Sequence, residues 1–127
     1  MPSKPRKRVF ISFDFDNDKA LKDFLIGQSK LEHSPFEVSD YSLKEASKEK
    51  DWEENARKKI ELADMVIVML GRKTHKAHGV LKEIAIAKSL KKKIIQVIGH
   101  KNTPYRRIKG AGYLYHWNWE NLKKVLD

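Results

Sequence analysis

Cysteine is absent from the chain of 127 residues. Its absence excludes disulfides, zinc sites built on cysteine and thiolate nucleophiles. Long apolar runs are absent as well: the longest, Met65 to Leu70, suits a buried strand and is too short for a membrane span. The first ten residues are basic and lack the apolar centre of a signal peptide, so we expect a cytoplasmic protein with no membrane partner.

Acidic residues are the scarcer charge: 17 Asp and Glu stand against 27 Lys and Arg, which gives a formal net charge of +10. Four of the cations are Lys4, Arg6, Lys7 and Arg8, and three more occupy residues 91–93. Basic proteins attract nucleic acids, phosphate-bearing small molecules or acidic proteins, but a solvated surface rich in lysine explains the same composition. Because no strand alternates aromatic with basic residues, nucleic acid ranks last among these partners.

Strand and helix patterns alternate along the chain after a basic leader, residues 1–7, that is predicted to be disordered. The predicted strands are 8–13, 36–39, 64–71, 94–98 and 113–116. The first predicted helix has Leu21, Phe24 and Leu25 on its apolar, core-facing stripe, at the spacing i, i+3, i+4. The other predicted helices are 52–63, 80–90 and 119–126, and a long polar loop covers 40–50. This order predicts one α/β domain over residues 8–127: a doubly wound, flavodoxin-like fold with a five-stranded parallel sheet and helices on both faces.

A candidate ligand site lies at the carboxyl ends of the strands, because open parallel sheets bind ligands there, at the switch in strand order. Glu83 reaches this edge in the first turn of the third helix. It falls among the buried-looking positions Val80, Ile84 and Ala87. A carboxylate on a packing face costs free energy unless a partner or solvent reaches it, so Glu83 marks the edge as a functional site.

Several chemistries that suit this architecture are excluded by missing residues. A phosphoryl-accepting receiver domain needs an Asp at the end of the third strand, where Val68-Met69-Leu70-Gly71 has none. The phosphate loop of flavodoxins, the glycine-rich dinucleotide fingerprint and the P-loop are also missing. We expect no metal, although two weaker alternatives stay open. They are a nuclease-like Mg²⁺ site on Asp14, Asp16, Asp40 and Glu83, and a zinc site on His75 and His78.

Six short segments are informative together: RVFISF at 8–13, DYSLKE at 40–45, DMVIVMLG at 64–71, TH at 74–75, GVLKEI at 79–84 and WNW at 117–119. In their order and spacing they resemble the TIR domain superfamily. More specifically, the chain is similar to the bacterial and archaeal TIR-like proteins that include the TIR component of Thoeris antiphage systems. One departure precedes Glu83: many TIR domains have a Trp-Cys pair there, and this chain has His-Gly-Val-Leu-Lys at 78–82.

The resemblance implies a TIR-type fold and cleavage of the nicotinamide–ribose bond of NAD⁺, which is a substrate and not a cofactor. Glu83 matches the catalytic glutamate of the family. One carboxylate suffices chemically because nicotinamide leaves as a neutral molecule and the carboxylate stabilises the oxocarbenium-like ribose that remains. The implied product is a linear or cyclic ADP-ribose-type signal in antiviral defence, and a nucleotide-sensing effector is the implied downstream partner.

Eight further residues are predicted to contact the substrate, because they lie at the ligand edge or in the loop that covers the ligand in TIR domains. Core packing explains Phe13 equally well, and turn formation or capping explains the polar members. The eight are Ser12, Phe13, Asp14, Asp40, Ser42, Gly71, Thr74 and His75.

Two functions without catalysis stay open beside the enzymatic one. The first is a TIR-type module that assembles with itself or binds a protein partner. The second, ranked last, is a basic domain that binds nucleic acid. Self-association of the enzyme is itself expected as a partner interaction, because many TIR enzymes work only when assembled.

Overall fold

A computed structural model describes residues 7–14, 19–31, 34, 36–41, 49–98 and 106–116. The predicted C-terminal helix and residues 1–6 of the predicted leader lie outside these ranges. The elements are, in chain order, β1 (Lys7–Ser12), α1 (Lys19–Ser29), β2 (Phe36–Tyr41), α2 (Glu49–Leu62), β3 (Met65–Leu70), a short 3₁₀ helix (Thr74–Lys76), α3 (His78–Ser89), β4 (Lys93–Ile98) and β5 (Tyr113–His116).

All five strands are parallel and follow the order β2-β1-β3-β4-β5. This is the doubly wound order of flavodoxin-like folds, with its switch point between β1 and β3. The prediction of a five-stranded parallel α/β sheet is therefore confirmed. Within the described residues, no helix combines the length and the apolar character that a membrane crossing requires.

The sheet has a hydrophobic core on each face, because alternate residues of a strand point to opposite sides. In β3 every residue is buried, and its side chains divide between the two cores. Leu25 of α1 packs with Ile67 and Met69 on one face. Ile60 of α2 and Ile84 of α3 pack with the other face. Helices on both faces, as predicted, explain why the β3 sequence is apolar throughout.

The second strand is longer than its sequence pattern predicts. Asp40 and Tyr41 were expected to begin a long loop, but their backbone pairs with Phe10 and Ile11 of β1. The register shifts by one residue after Val9, which is the irregularity of a β-bulge. Parallel pairing continues past the bulge, so β2 extends to Tyr41. The prediction that a loop begins at residue 40 was therefore wrong. The loop's predicted end at residue 50 also differs, since α2 begins at Glu49.

Two helices differ from their predicted patterns. In α3 the first residue is His78 and not 80, so Glu83 lies in the second turn and not in the first. In α1 the prediction that Phe24 faces the core was wrong, because its side chain is 40% exposed. Among the α1 side chains that the structure describes, the buried ones are Lys22, Leu25 and Ser29. Their spacing of three and four residues is that of one helix face, and its first member is a cation.

An irregular connection, and not a helix, joins the last two strands over the described residues 106–112. Gln96 of β4 is fully buried and holds this connection. Its amide oxygen accepts the Ile108 N–H at 2.7 Å, and its amide nitrogen donates to the carbonyls of Ile108 and Gly112, both at 3.0 Å. Ile108 and Ala111 thereby complete the core beside α3.

Candidate active site

The carboxyl ends of β1 and β3 form the edge at which the strand order reverses. Ser12 ends β1, and Phe13 and Asp14 follow it directly; all three are buried. Ser12 points to the face that carries α3, where its hydroxyl meets a side chain of that helix. Phe13 belongs to the core on the opposite face, with α1. Ser12 and Phe13 therefore face the helices on opposite sides of the sheet, at the same end of β1.

Glu83 contacts Ser12 at this edge. The Ser12 hydroxyl donates a hydrogen bond of 2.8 Å to Oε1 of Glu83, across 71 positions of sequence. The Glu83 side chain is 1% exposed and Ser12 is fully buried. A carboxylate on the packing face of α3 was expected to need a partner or solvent, and Ser12 is such a partner. The predicted site residues Ser12 and Glu83 are thus brought together.

The hydrogen bond fixes one oxygen of the Glu83 carboxylate. Hydrogen bonds to an ionised group are stronger than neutral ones, and they orient the group that accepts them. Burial of a carboxylate costs several kcal/mol unless hydrogen bonds and charges around it offset that cost. Buried ionisable groups at the ligand edge of such a sheet are typical of functional sites, and Glu83 is one of them.

Contacts with α2 fix the position of α3 beside Glu83. Lys82 lies 3.3 Å from a carboxylate oxygen of Glu53, and its ammonium is 5.9 Å from the ring centroid of Trp52. Trp52 is buried, so its ring packs between α2 and its neighbours. Val80 and Ile84 anchor the same helix in the core. The register of α3 is therefore set on both sides of the carboxylate.

Thr74 determines the shape of the connection between β3 and α3. Its hydroxyl accepts the Gly71 N–H at 2.7 Å and lies 3.4 Å from the Met69 carbonyl, to which it donates. The side chain is fully buried. This geometry gives Thr74 a structural role in the turn but not a capping role, because neither the 3₁₀ helix nor α3 has a side-chain cap. The Gly71 N–H is bonded within the same turn, and substrate contact by Gly71 and Thr74 stays a prediction.

His75 follows Thr74 on the 3₁₀ helix and is partly exposed. Its Nδ1 atom is buried without a hydrogen-bond partner, a situation found at no other side chain among the described residues. A buried polar atom without a partner costs free energy, and such atoms often mark a place where a ligand or water binds. Substrate contact by His75 stays a prediction.

The structure describes the remaining predicted site residues only in part. Asp14 is buried immediately after β1. Asp40 lies in β2 by its backbone, and its side chain is outside the described part of the structure, as is the whole of Ser42. Asp16 of the alternative Mg²⁺ site is outside it too. Among the residues that are described, no three His, Asp or Glu side chains gather closely enough to hold a metal ion.

Lys22 is a buried ionisable residue that the sequence patterns missed. Its ammonium lies 5.9 Å from the centroid of the Phe13 ring and 2.7 Å from a carboxylate oxygen of Asp23. If Phe24 faces the core, Lys22 points to solvent. The prediction for Phe24 therefore implied an exposed Lys22. The spacing of Lys22, Leu25 and Ser29 was the available indication.

Comparisons with known proteins agree with this architecture. The sequence profile of a family described as "Thoeris protein ThsB, TIR-like domain" matches residues 10–104, a range that contains both Ser12 and Glu83. Among solved structures, the CMP N-glycosidase BcmB of Clostridium botulinum has a similar fold, with a TM-score of 0.57 and 21% sequence identity over 95% of this chain and 98% of that chain. No match is found among curated proteins.

Proposed function

Because the chain belongs to the TIR-like domain family of the Thoeris protein ThsB, we propose that it is an enzyme that cleaves the N-glycosidic bond of a nucleotide. The substrate that we propose is NAD⁺, and the bond is the one between nicotinamide and ribose. The observation that carries the proposal is the buried Glu83 carboxylate, which accepts a hydrogen bond from Ser12 at the switch point of the sheet.

The chemistry requires a group that stabilises positive charge on the ribose. When the C–N bond breaks, its electron pair stays on the nicotinamide nitrogen, so a cationic pyridinium leaves as neutral nicotinamide and needs no proton. Positive charge develops on the ribose, and the Glu83 carboxylate stabilises it electrostatically. Water then adds to the anomeric carbon and releases one proton, giving ADP-ribose; attack by a nucleophile of the same nucleotide gives a cyclic product.

Ser12 has a positioning role in this mechanism. Its hydroxyl donates a hydrogen bond of 2.8 Å to Oε1 of Glu83, and this bond orients the carboxylate toward the ribose. Preorganised charges stabilise a transition state best when they need not reorient during the reaction. Ser12 was predicted from the sequence as a substrate contact, and we now propose that it acts through Glu83.

The similar fold of BcmB supports the broader form of the proposal. That protein is a CMP N-glycosidase, so an N-glycosidic bond of a nucleotide is cleaved on a fold of this type. CMP therefore belongs in the substrate test beside NAD⁺. The signalling part of the proposal is that the ADP-ribose-type product is read by a nucleotide-sensing effector in antiviral defence.

The proposal is tested by incubating the purified protein with NAD⁺ and, separately, with CMP, and by quantifying the released base chromatographically. Protein concentration is varied, so that activity that needs self-association is detected. We expect base release from at least one nucleotide, and a fall in kcat of about 10²–10³-fold for Glu83→Gln, which keeps the shape of the side chain and removes its charge.

The matched control is Glu53→Gln, a carboxylate on α2 that is half exposed and pairs with Lys82. We expect it to keep most of the activity. Equal base release by wild type and Glu83→Gln would exclude Glu83 as the catalytic group. Release from neither nucleotide at any protein concentration, with self-association that Glu83→Gln leaves unchanged, would favour the assembly module instead.

A further inference from the structure

Two basic segments that are separated in the sequence meet at the amino ends of β4 and β5. The first is the end of α3 with the turn that leads into β4, and the second is the connection that leads into β5. The Lys88 side chain reaches this connection, because a Cβ on Gly110 would overlap its ammonium group. Gln96 holds the connection against the sheet with three hydrogen bonds. We call this region the basic surface, and its cations are Lys88, Lys91, Lys92, Arg106, Arg107 and Lys109.

The charges of the basic surface are exposed and are not balanced by carboxylates. Five of its six cations are exposed to solvent. The sixth, Lys92, is half-buried and donates to the Glu61 carbonyl at 3.1 Å, a contact that leaves its charge unneutralised. Within the part of the chain that the structure describes, no ion pair joins Lys88, Lys91 or Lys109 to an acidic side chain. Neither basic segment contains an Asp or Glu.

Lys91 has a backbone conformation that is uncommon for lysine. Its φ of +58° lies in the left-handed region, where a helix usually ends on glycine. The Lys91 N–H bonds to the Lys88 carbonyl at 3.0 Å and the Lys92 N–H to the Ala87 carbonyl at 2.9 Å, the two bonds of a Schellman motif. A residue with a Cβ is less favourable in this conformation than glycine. Lys91 therefore places a charge where the end of the helix by itself favours glycine.

The helix dipole explains only one of the two basic segments. Cations near the carboxyl end of a helix interact favourably with its dipole, and this accounts in part for Lys88 and Lys91. The cations of the second segment belong to an irregular connection that ends no helix. A ligand that spans both segments accounts for all of them.

The composition of the basic surface indicates the class of partner. Interfaces with proteins have an apolar centre, and sites for membrane surfaces combine cations with apolar side chains that insert into the lipid. Among the described residues the large hydrophobic side chains that are exposed lie outside the basic surface; they are Phe24, Leu31, Leu62, Leu81 and Tyr113. A charged surface without an apolar centre suits the phosphate backbone of nucleic acid, which Lys and Arg bind with release of counterions.

We propose that the basic surface binds the phosphate backbone of nucleic acid without reading the base sequence. Nucleic acid was ranked last from the sequence because no strand alternates aromatic with basic residues. That pattern serves base stacking, whereas phosphate contacts need only cations that the fold brings together. The basic surface and Glu83 lie toward opposite ends of α3, so the inference does not rest on the proposed catalysis. Absence of base release would leave it standing.

The test measures binding of the intact protein to two fluorescently labelled DNA duplexes of equal length and unrelated sequence. Fluorescence anisotropy gives the dissociation constants over a series of NaCl concentrations. We expect the same affinity for both duplexes, because the backbone is common to them. The slope of log K against log salt is expected to be about −3 or steeper, since each phosphate contact contributes about −0.9.

Two triple variants separate the basic surface from net charge. Lys88→Gln, Lys91→Gly and Lys109→Gln together are expected to weaken binding at least thirtyfold, by order of magnitude, at about 0.1 M NaCl, and to make the salt slope less steep by about 2–3. The matched control removes three exposed cations at the other end of α3, by Arg72→Gln, Lys73→Gln and Lys76→Gln. Its effect is expected to stay below about threefold, because the control removes no phosphate contact.

Lys91→Gly alone separates loss of binding from damage to the fold. Glycine suits a φ of +58°, so the variant is expected to unfold at a temperature no lower than wild type. Its affinity for DNA is nevertheless expected to fall by about fivefold, the effect of one lost phosphate contact. Unchanged affinity would exclude Lys91 from the contact with DNA.

The inference is overturned if the two triple variants lose the same affinity, since net charge alone would then explain binding. It is also overturned if wild type binds neither duplex at low salt, or if one duplex binds more than about tenfold tighter than the other, which would indicate base reading. Tighter binding to vesicles that contain phosphatidylserine than to DNA at the same salt would assign the basic surface to a membrane instead. Should the first triple variant fail to fold, the Lys91→Gly comparison still decides.

Discussion

At the scale of single residues, the sequence located the carboxylate but not its partner. Glu83 is conspicuous because a charge falls at a helix position flanked by buried ones, and such a misfit is visible in local periodicity. Ser12 lies 71 positions away, and no local pattern couples two such residues. The serine was therefore assigned to the substrate, and only the fold shows that its hydroxyl holds Glu83.

Ser12→Ala is expected to reduce stability because it removes a hydrogen-bond donor from a buried carboxylate. Loss of one partner from a buried, charge-assisted hydrogen bond costs about 1–3 kcal/mol. The control is Ser39→Ala, whose hydroxyl donates to the Val9 carbonyl at 3.2 Å from a partly exposed position on β2; its cost is expected to stay below about 1 kcal/mol. Urea unfolding followed by circular dichroism measures both.

Equal losses for the two serine variants would mean that the hydrogen bond to Glu83 contributes no more than an ordinary one at the sheet surface. The positioning role of Ser12 would then lose its energetic support. The loss of unfolding free energy caused by Ser12→Ala is also measured in a Glu83→Gln protein. It is expected to be smaller there, because the acceptor is neutral.

At the scale of elements, the sequence predicted the interior of each described strand better than its ends. β3 is apolar from Met65 to Leu70, so the apolar run itself indicates where the strand begins and ends. The end of β2 is polar, and its pairing with β1 depends on a bulge that only the neighbouring strand defines. The start of α3 depends on the 3₁₀ turn that Thr74 stabilises, and this too is a contact between backbone and side chain that composition does not reveal.

The connection before β5 offers a prediction that uses two glycines with nearly the same backbone. Gly110 has φ +83° and Gly112 has φ +84°, so alanine is strained at either position. A Cβ on Gly112 would overlap the backbone carbonyl of Ile94, whereas one on Gly110 meets only the flexible end of Lys88. We expect Gly112→Ala to reduce the free energy of unfolding by about 3 kcal/mol or more, and Gly110→Ala by about 1–2 kcal/mol.

Chemical unfolding of both glycine variants measures this difference. Similar losses would mean that the β4–β5 connection relaxes around Ile94, and that the clamp formed by Gln96 does not hold the backbone in place. A larger loss for Gly112→Ala would confirm that the connection is fixed against the sheet.

At the scale of the whole molecule, the alternation of apolar segments was sufficient to predict the fold. Alternating strand and helix patterns leave few topologies once crossovers are right-handed, and the observed order is one of them. The family resemblance was carried by short segments spread over the chain, and the match over residues 10–104 confirms it. The spatial distribution of charge could not be predicted from composition, because it depends on the positions of the helices and strands.

The charge distribution follows from the fold. No Asp or Glu occurs between Glu83 and Glu120, while eight Lys and Arg do. The described part of this stretch includes the end of α3 and the strands β4 and β5, and these two strands lie at one edge of the sheet. A positive side favours the approach of an anionic nucleotide over long range, and salt screens this effect.

The most direct test of the account is a double-mutant cycle on base release, with wild type, Ser12→Ala, Glu83→Gln and the double variant. Because Ser12 acts through Glu83, we expect Ser12→Ala to lower kcat about tenfold in wild type and to have almost no further effect once Glu83 is Gln. Losses that simply multiply, or a Glu83→Gln protein as active as wild type, would contradict the assignment of these two residues as one catalytic unit.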